Sequence, residues 1–320
     1  MAKYRQSLPQ GLGDLFLTDG GIETTLIFHY GLDLPLFSAF HLFASRDGEE
    51  ALERYFCTYA GLARKHGLGL ILETATWRAS SSWGEQLGYS VDHLVDINRR
   101  SVSMLEKVRA EYEAPQTPIV ISGCLGPRGD GYIPGERMTT QQAEQYHAAQ
   151  IGTLAGTSVD ALSALTMNYV EEALGITRAA KTCAVPVVIS FTVEADGRLP
   201  TGQALGDAIN QVDHETSSYP LYYMVNCAHT SHFEHVLADG DPWCDRIRGL
   251  RANASSKSHG ELNEAPELDA GDPVTLGRDY ARLKSGKLRH LSVVGGCCGT
   301  DDRHVEHMAL ACLPLFRNAP

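Results

Sequence analysis

The chain contains no stretch approaching the roughly 20 consecutive apolar residues that span a bilayer. Its first ten residues, Met1 to Gln10, carry no apolar core of signal-peptide length, so the expected location is the cytoplasm. Positive charge is also scarce. The formal net charge is -12, the opposite of the basic footprint that a phosphate backbone requires, and nucleic acid is excluded as a partner. The Gly-rich fingerprint of a dinucleotide-binding Rossmann unit is missing as well. No linker, tandem repeat or low-complexity tract divides the chain. What is left is an acidic enzyme-like chain, compatible with a cationic small substrate.

Its composition is that of a folded globular protein: 43% hydrophobic and 21% charged residues. A length of 320 residues suits one large domain or two ordinary ones. Eight short apolar runs recur along it. They are Leu15 to Thr18, Leu68 to Leu72, Pro118 to Ser122, Val159 to Leu165, Pro186 to Ser190, Leu221 to Val225, Ile247 to Asn253, and Leu291 to Val294. Continuous rather than alternating apolar character suits strands buried on both faces, as in parallel sheets. Between them lie segments with a 3.6-residue rhythm: Glu50 to His66, Val91 to Tyr112, Thr139 to Thr157, Thr275 to Leu283 and His304 to Leu313. Thr139 with Gln142 forms a capping-box pattern at the start of the third.

Strand alternating with helix to a count of eight predicts a single (β/α)8 barrel, a TIM barrel, over residues 1–320. A doubly wound sheet is the alternative. Residues 1–10 are expected to form a loose N-terminal arm. Three long loops, Gly126 to Met138, Asp196 to Gly206 and Ala254 to Asp272, all follow predicted strands three, five and seven. That is the face on which barrels build active sites.

A reducing compartment leaves the eight cysteines as thiols, and clustered thiols then read as metal ligands or redox groups. Cys227 ends the sixth predicted strand, and Cys297 and Cys298 end the eighth. Strands six and eight are not neighbours in a barrel, yet their ends face one axial opening. Three thiolates with one open position describe a catalytic zinc site. Adjacent cysteines also suit a strained, redox-active vicinal disulfide. A lone cysteine, such as Cys57, Cys124, Cys183, Cys244 or Cys312, is most often a small core residue.

Gly295-Gly296-Cys297-Cys298-Gly299-Thr300, with Val225-Asn226-Cys227 upstream, resembles the zinc signature of the homocysteine S-methyltransferase family. Asp19-Gly20-Gly21, Thr74 to Ser80, Ser122 to Pro127 and Ile189 to Thr192 resemble that family's motifs at the first, second, third and fifth strands. The resemblance runs from about Leu15 to Leu313. It implies a zinc-dependent (β/α)8 barrel that methylates the thiol of homocysteine to give methionine. It implies zinc ligands at Cys227, Cys297 and Cys298. Asp19 and Gly20 would hold the amino acid part of the acceptor, Thr76 would contact substrate, and Asn226 would orient the first ligand. One position departs: the family usually has a Glu at the end of the fourth strand, and Leu165 stands there. Glu23 and Glu73 are the replacement carboxylates on offer. Their plainer roles are a helix cap for Glu23 and a pair with Arg78 for Glu73.

The implied partners are a small thiol acceptor and a cationic methyl donor, a sulfonium or quaternary ammonium. Aromatic faces serve such cations, and Trp77, Trp83, Tyr132 and Phe191 are the candidates, against ordinary packing. His229, His232 and His235 are expected on a solvated surface near Cys227. His259 and Glu261 are expected in a lid over the site. Two further readings are a zinc methyltransferase with another thiol acceptor, and a non-catalytic thiol protein that senses redox state or metal.

Overall fold

The computed structural model describes residues 1–263 and 267–317. Eight parallel strands close into a barrel in sequence order. They are β1 (Phe16–Leu17), β2 (Gly69–Glu73), β3 (Ile119–Leu125), β4 (Ala161–Met167), β5 (Val187–Phe191), β6 (Tyr223–Asn226), β7 (Ile247–Ala252) and β8 (Val293–Gly296). Closure comes from β1 pairing with β8, Phe16 opposite Val293 and Leu17 opposite Val294. The single-barrel expectation holds, and each predicted run matches its strand to within three residues at either end. The long helices are α1 (Arg46–His66), α2 (Val91–Tyr112), α3 (Thr140–Ala155), α4 (Val170–Thr182), α5 (Leu205–Thr216), α6 (Pro273–Ser285) and α7 (Asp302–Arg317). After β6 the chain makes only short helical turns before β7. No described helix is long and apolar enough to cross a membrane.

Local chemistry explains the helix ends. Ser45 accepts the Gly48 N–H at the start of α1, and Gly67 closes it in the left-handed region at φ 64°. Thr139 and Gln142 form the expected reciprocal capping box on α3. Two helices were not expected. α4 buries nine of its 13 residues, Glu172 included, so only a thin polar face of Glu171, Arg178, Lys181 and Thr182 marks its period. α5 follows a polar loop and is only three turns long.

Two apolar cores result. The larger lies between strands and helices. The smaller fills the barrel interior with Phe16, Ile71, Val120, Val188, Met224 and Val293. Its lower end is closed by the N-terminal segment, and here the expected loose arm is corrected. Tyr4 and Leu8 pack against the interior cluster. The Tyr4 N–H donates to Asp160 at 2.6 Å. The Arg5 guanidinium donates to the carbonyls of Ala155, Thr157 and Val159. Residues rich in donors found unpaired carbonyls at the bottom of the barrel, which hydropathy alone does not reveal.

Candidate active site

The opposite, C-terminal end of the barrel opens into a cavity of about 470 Å³. Cys227, Cys297 and Cys298 meet at its floor, with their three sulfurs all within 4.8 Å of one another. The Cys227 and Cys298 sulfurs are 3.8 Å apart. Ligands about 2.3 Å from a tetrahedral zinc stand about 3.8 Å from each other, so the donor set and its spacing fit that ion. Cys227 adopts a left-handed backbone, φ 56°. For a residue with a Cβ this costs roughly 1–2 kcal/mol. The strain is held by three hydrogen bonds. The Cys227 N–H donates to the Arg251 carbonyl, and the Cys227 carbonyl accepts from Asn253 Nδ2 at 3.0 Å and His259 Nε2 at 2.6 Å.

The glycines beside the paired cysteines serve close approach rather than a sharp turn. A Cβ on Gly295 would strike Thr18, and one on Gly296 would strike Thr300. On β1's side, a Cβ on Gly21 would lie 2.5 Å from the Cys297 carbonyl oxygen. Only Gly299, at φ 81°, needs the left-handed region.

Packing three thiols together sets their acidity apart. Cys297 is pulled well below the usual thiol range by hydrogen bonds from Cys227 and Cys298, with help from the nearby Arg251 charge. Cys227 is pushed well above it because it donates to Cys297, and Cys298 because it donates to Cys227 and then to Cys297. Asn226 spans three strands beneath. Its Oδ1 accepts from the Thr166 N–H at 2.8 Å and Ser190 Oγ at 2.6 Å, and its Nδ2 lies 3.9 Å from Cys297 Sγ. The thiol it reaches is therefore Cys297 rather than its neighbour Cys227.

Asp19, Gly20 and Glu23 all line the cavity. Asp19 is buried and forms an ion pair with Arg251 at 2.6 Å. Arg251 also pairs with Glu73 and donates to the Gly20 and Gly296 carbonyls. Glu73 therefore pairs with Arg251, not with Arg78. Burial raises both carboxyls, and Arg251 opposes that rise. Burial also raises Glu23, to about 7. Thr76 is placed elsewhere: it is fully buried, donates to the Cys124 carbonyl at 2.8 Å and is not part of the cavity wall. Its neighbour Thr74 lines the wall instead. Leu165 also lines the wall, leaving an apolar surface on β4 where a carboxylate was the family expectation.

Of the four aromatic candidates, Trp77 and Tyr132 face the cavity. The Tyr132 hydroxyl sits 3.6 Å from Cys227 Sγ and 3.7 Å from Cys298 Sγ. Trp83 stacks on Arg78 and donates to the Pro127 carbonyl. Phe191 stacks on Tyr223 in the core. His229 bonds Ser231, while His232 and His235 bond the Ser256 and Asp196 carbonyls of other loops; none lines the cavity, and His232 is buried rather than solvated as expected. In the loop 254–272, His259 stacks on Tyr132 with ring centres 3.8 Å apart. Glu261 instead accepts from Ser258 at the surface. Residues 264–266 of that loop lie outside the described residues.

Arg251 and Arg78 were missed from sequence. The signal for Arg251 was present, since a charge inside a strand buried on both faces needs a partner.

A family model described as homocysteine S-methyltransferase matches residues 16–312. The chain belongs to that family. It is a methyltransferase with the family's barrel, and the reading as a non-catalytic thiol sensor falls away. The chain is 25% identical to methionine synthase of Mycobacterium tuberculosis over 71% of its own length. It spans only 19% of that much longer relative. It is 24% identical to homocysteine S-methyltransferase 4 of Zea mays over 93% of the chain and 90% of the relative. In fold it is similar to the homocysteine methyltransferase MmuM from Escherichia coli. The oxidised form superposes with a TM-score of 0.73 at 17% identity, covering 96% of this chain and 99% of that one. The metallated form gives 0.69 at 17% identity, covering 93% and 96%.

Proposed function

We propose that this homocysteine S-methyltransferase family member transfers a methyl group from a cationic sulfonium or ammonium donor to homocysteine, using zinc held by Cys227, Cys297 and Cys298. The observation that carries the reading is the convergence of those three sulfurs, all within 4.8 Å, at the floor of the cavity.

A free thiol of pKa about 8.5 is mostly protonated at neutral pH. Zinc held by Cys227, Cys297 and Cys298 would supply the Lewis acidity that lowers the acceptor thiol's pKa, so that its proton passes to water and the sulfur is nucleophilic. The acceptor sulfur attacks the donor methyl carbon while the bond from that carbon to the donor's onium atom breaks. The bonding pair stays on the onium atom, which leaves neutral. No general base is required, so the chain's own task is alignment. Asn226 fixes Cys297 from below. Gly20 keeps the β1 end open to the amino acid part of the acceptor. Asp19 and Glu73 share a single guanidinium, leaving one negative charge for the acceptor's ammonium. This supplies from β1 and β2 what Leu165 does not supply from β4. Glu23 adds a carboxyl to the wall. Trp77 and Tyr132 give the cationic donor aromatic surface.

The apolar Leu165 also favours a test of other thiols. Purified protein, reduced and zinc-loaded, is incubated with homocysteine and a panel of sulfonium and betaine donors, and methionine is measured. Methionine formation dependent on both substrates is the expected result. Transfer to a thiol lacking the amino group, but not to homocysteine, would replace the acceptor. No transfer from any donor would overturn the reading.

A further inference from the structure

Arg78 lies on the loop five residues beyond the end of β2 and lines the cavity. It is only 8% exposed. Its guanidinium lies over two indoles, 4.8 Å from the Trp77 ring centre and 3.9 Å from that of Trp83. Such stacking fixes the plane of the group and leaves its edge for hydrogen bonding. That edge is underused. Nη1 donates to the Leu36 carbonyl. Nε is buried and has no hydrogen-bond partner among the described residues. Nη2 has Asp130 Oδ2 as its nearest carboxylate oxygen, at 3.8 Å, beyond hydrogen-bond length. Asp130 itself is about half exposed. Glu23 and Asp130 offset its charge through space, Glu23 the more strongly, but neither carboxylate hydrogen-bonds the guanidinium. A cation so buried, with no carboxylate on its edge, is poised for an anion, and a planar fork favours a carboxylate.

Its place in the chain decides which substrate brings that carboxylate. Asp19 and Glu73 sit at or just beyond strand ends and line the cavity with the three thiols. Arg78, Asp130 and Phe37 come from the segments that connect strands and line the same cavity. The acceptor must put its sulfur at the thiols and its ammonium at the Asp19 and Glu73 carboxylates, so the connecting segments are left for the donor.

We propose that Arg78 is a specificity-determining residue that binds a carboxylate on the methyl donor, selecting zwitterionic onium carboxylates over simple onium cations. The proposal rests on the methyl-transfer reading above and deepens it. The carboxylate seats on the free edge of Arg78, and the onium group points toward the floor. Asp130 moves aside into solvent.

The test uses two donors matched except for one group, 3-(dimethylsulfonio)propionate and dimethylpropylsulfonium, with zinc-loaded wild type, Arg78→Lys and Arg78→Met. Wild type should favour the propionate by about 10- to 100-fold in kcat/KM, the range of a charged hydrogen-bonded contact. Arg78→Met should collapse that ratio to near one while the KM for homocysteine holds, and Arg78→Lys should keep part of it. Binding of both sulfonium compounds is also followed by tryptophan fluorescence, which needs no turnover. Equal use and equal binding of the two donors by wild type would overturn the proposal. So would an equal loss for both donors in Arg78→Met, which marks a structural stack, or a rise confined to the homocysteine KM. Carboxylate-dependent binding without any turnover would sustain this proposal while removing the methyl-transfer reading.

Discussion

Arg251 on β7 reaches past β8 to Asp19, just beyond the end of β1, with Nη2 2.6 Å from Oδ1. The same guanidinium holds Glu73 on β2. One buried cation thus ties three strand ends around the thiol cluster.

Removing that cation leaves two carboxylates in a dry wall. Arg251→Met should lower unfolding free energy by about 3–5 kcal/mol, the cost of orphaning a buried ion pair. Urea denaturation measures it. Arg251→Lys should recover part, because an ammonium restores the charge but not the fork. Unchanged stability in Arg251→Met would show that the acids find other partners.

Glu23 sets a pH dependence. Its carboxyl is raised by burial to about 7, above its ordinary value of 4.5. The unfolded chain therefore loses this proton first as pH rises. Between about 4.5 and 7 the folded state holds more protons, and stability falls with pH across that window. Glu23→Gln removes the slope. Melting temperature against pH should match wild type below pH 4.5 and exceed it above pH 7. Parallel curves for the two proteins would contradict the assignment.

Asn226 is a positioning residue for Cys297. Asn226→Ala should weaken zinc binding by roughly 10- to 100-fold, the usual effect of losing a group that orients a metal ligand. Competition with a chromophoric chelator reads this without any turnover. Ser190 and the Thr166 N–H also lose their acceptor, so some loss of stability should accompany it. Full zinc affinity in a folded Asn226→Ala protein would make the 3.9 Å contact incidental.

Arg5 tests the closed lower end of the barrel. Its guanidinium donates to three backbone carbonyls. Arg5→Ala should cost roughly 1–3 kcal/mol, seen as a lower denaturation midpoint, with substrate KM values unmoved. No change would mean that the N-terminal segment only rests on the barrel.

Much of this architecture was legible because it follows from pattern. Strands buried on both faces read as continuous apolar runs, and the eight of them specify the barrel. The cysteines were legible because Cys227 and the pair Cys297-Cys298 end strands that share one opening. Features resting on pairing across space were not. Arg251 looks like an error in an apolar strand until Asp19 and Glu73 surround it. Thr74 and Thr76 differ in sequence only by order, and the backbone turn after β2 decides which one faces the cavity. α4 hid because its polar face is thin. The N-terminal arm reads as loose because its partners are backbone carbonyls, which carry no sequence signal.

The central claim is that three thiolates hold a zinc ion at the floor of the cavity. Zinc content of the protein, purified under reducing conditions, tests it directly in wild type and in Cys298→Ala. The account predicts about one zinc per chain in wild type and its loss in the variant, as three thiolates and an open position require. A wild type that neither carries zinc nor takes it up when reduced and reloaded would contradict the account.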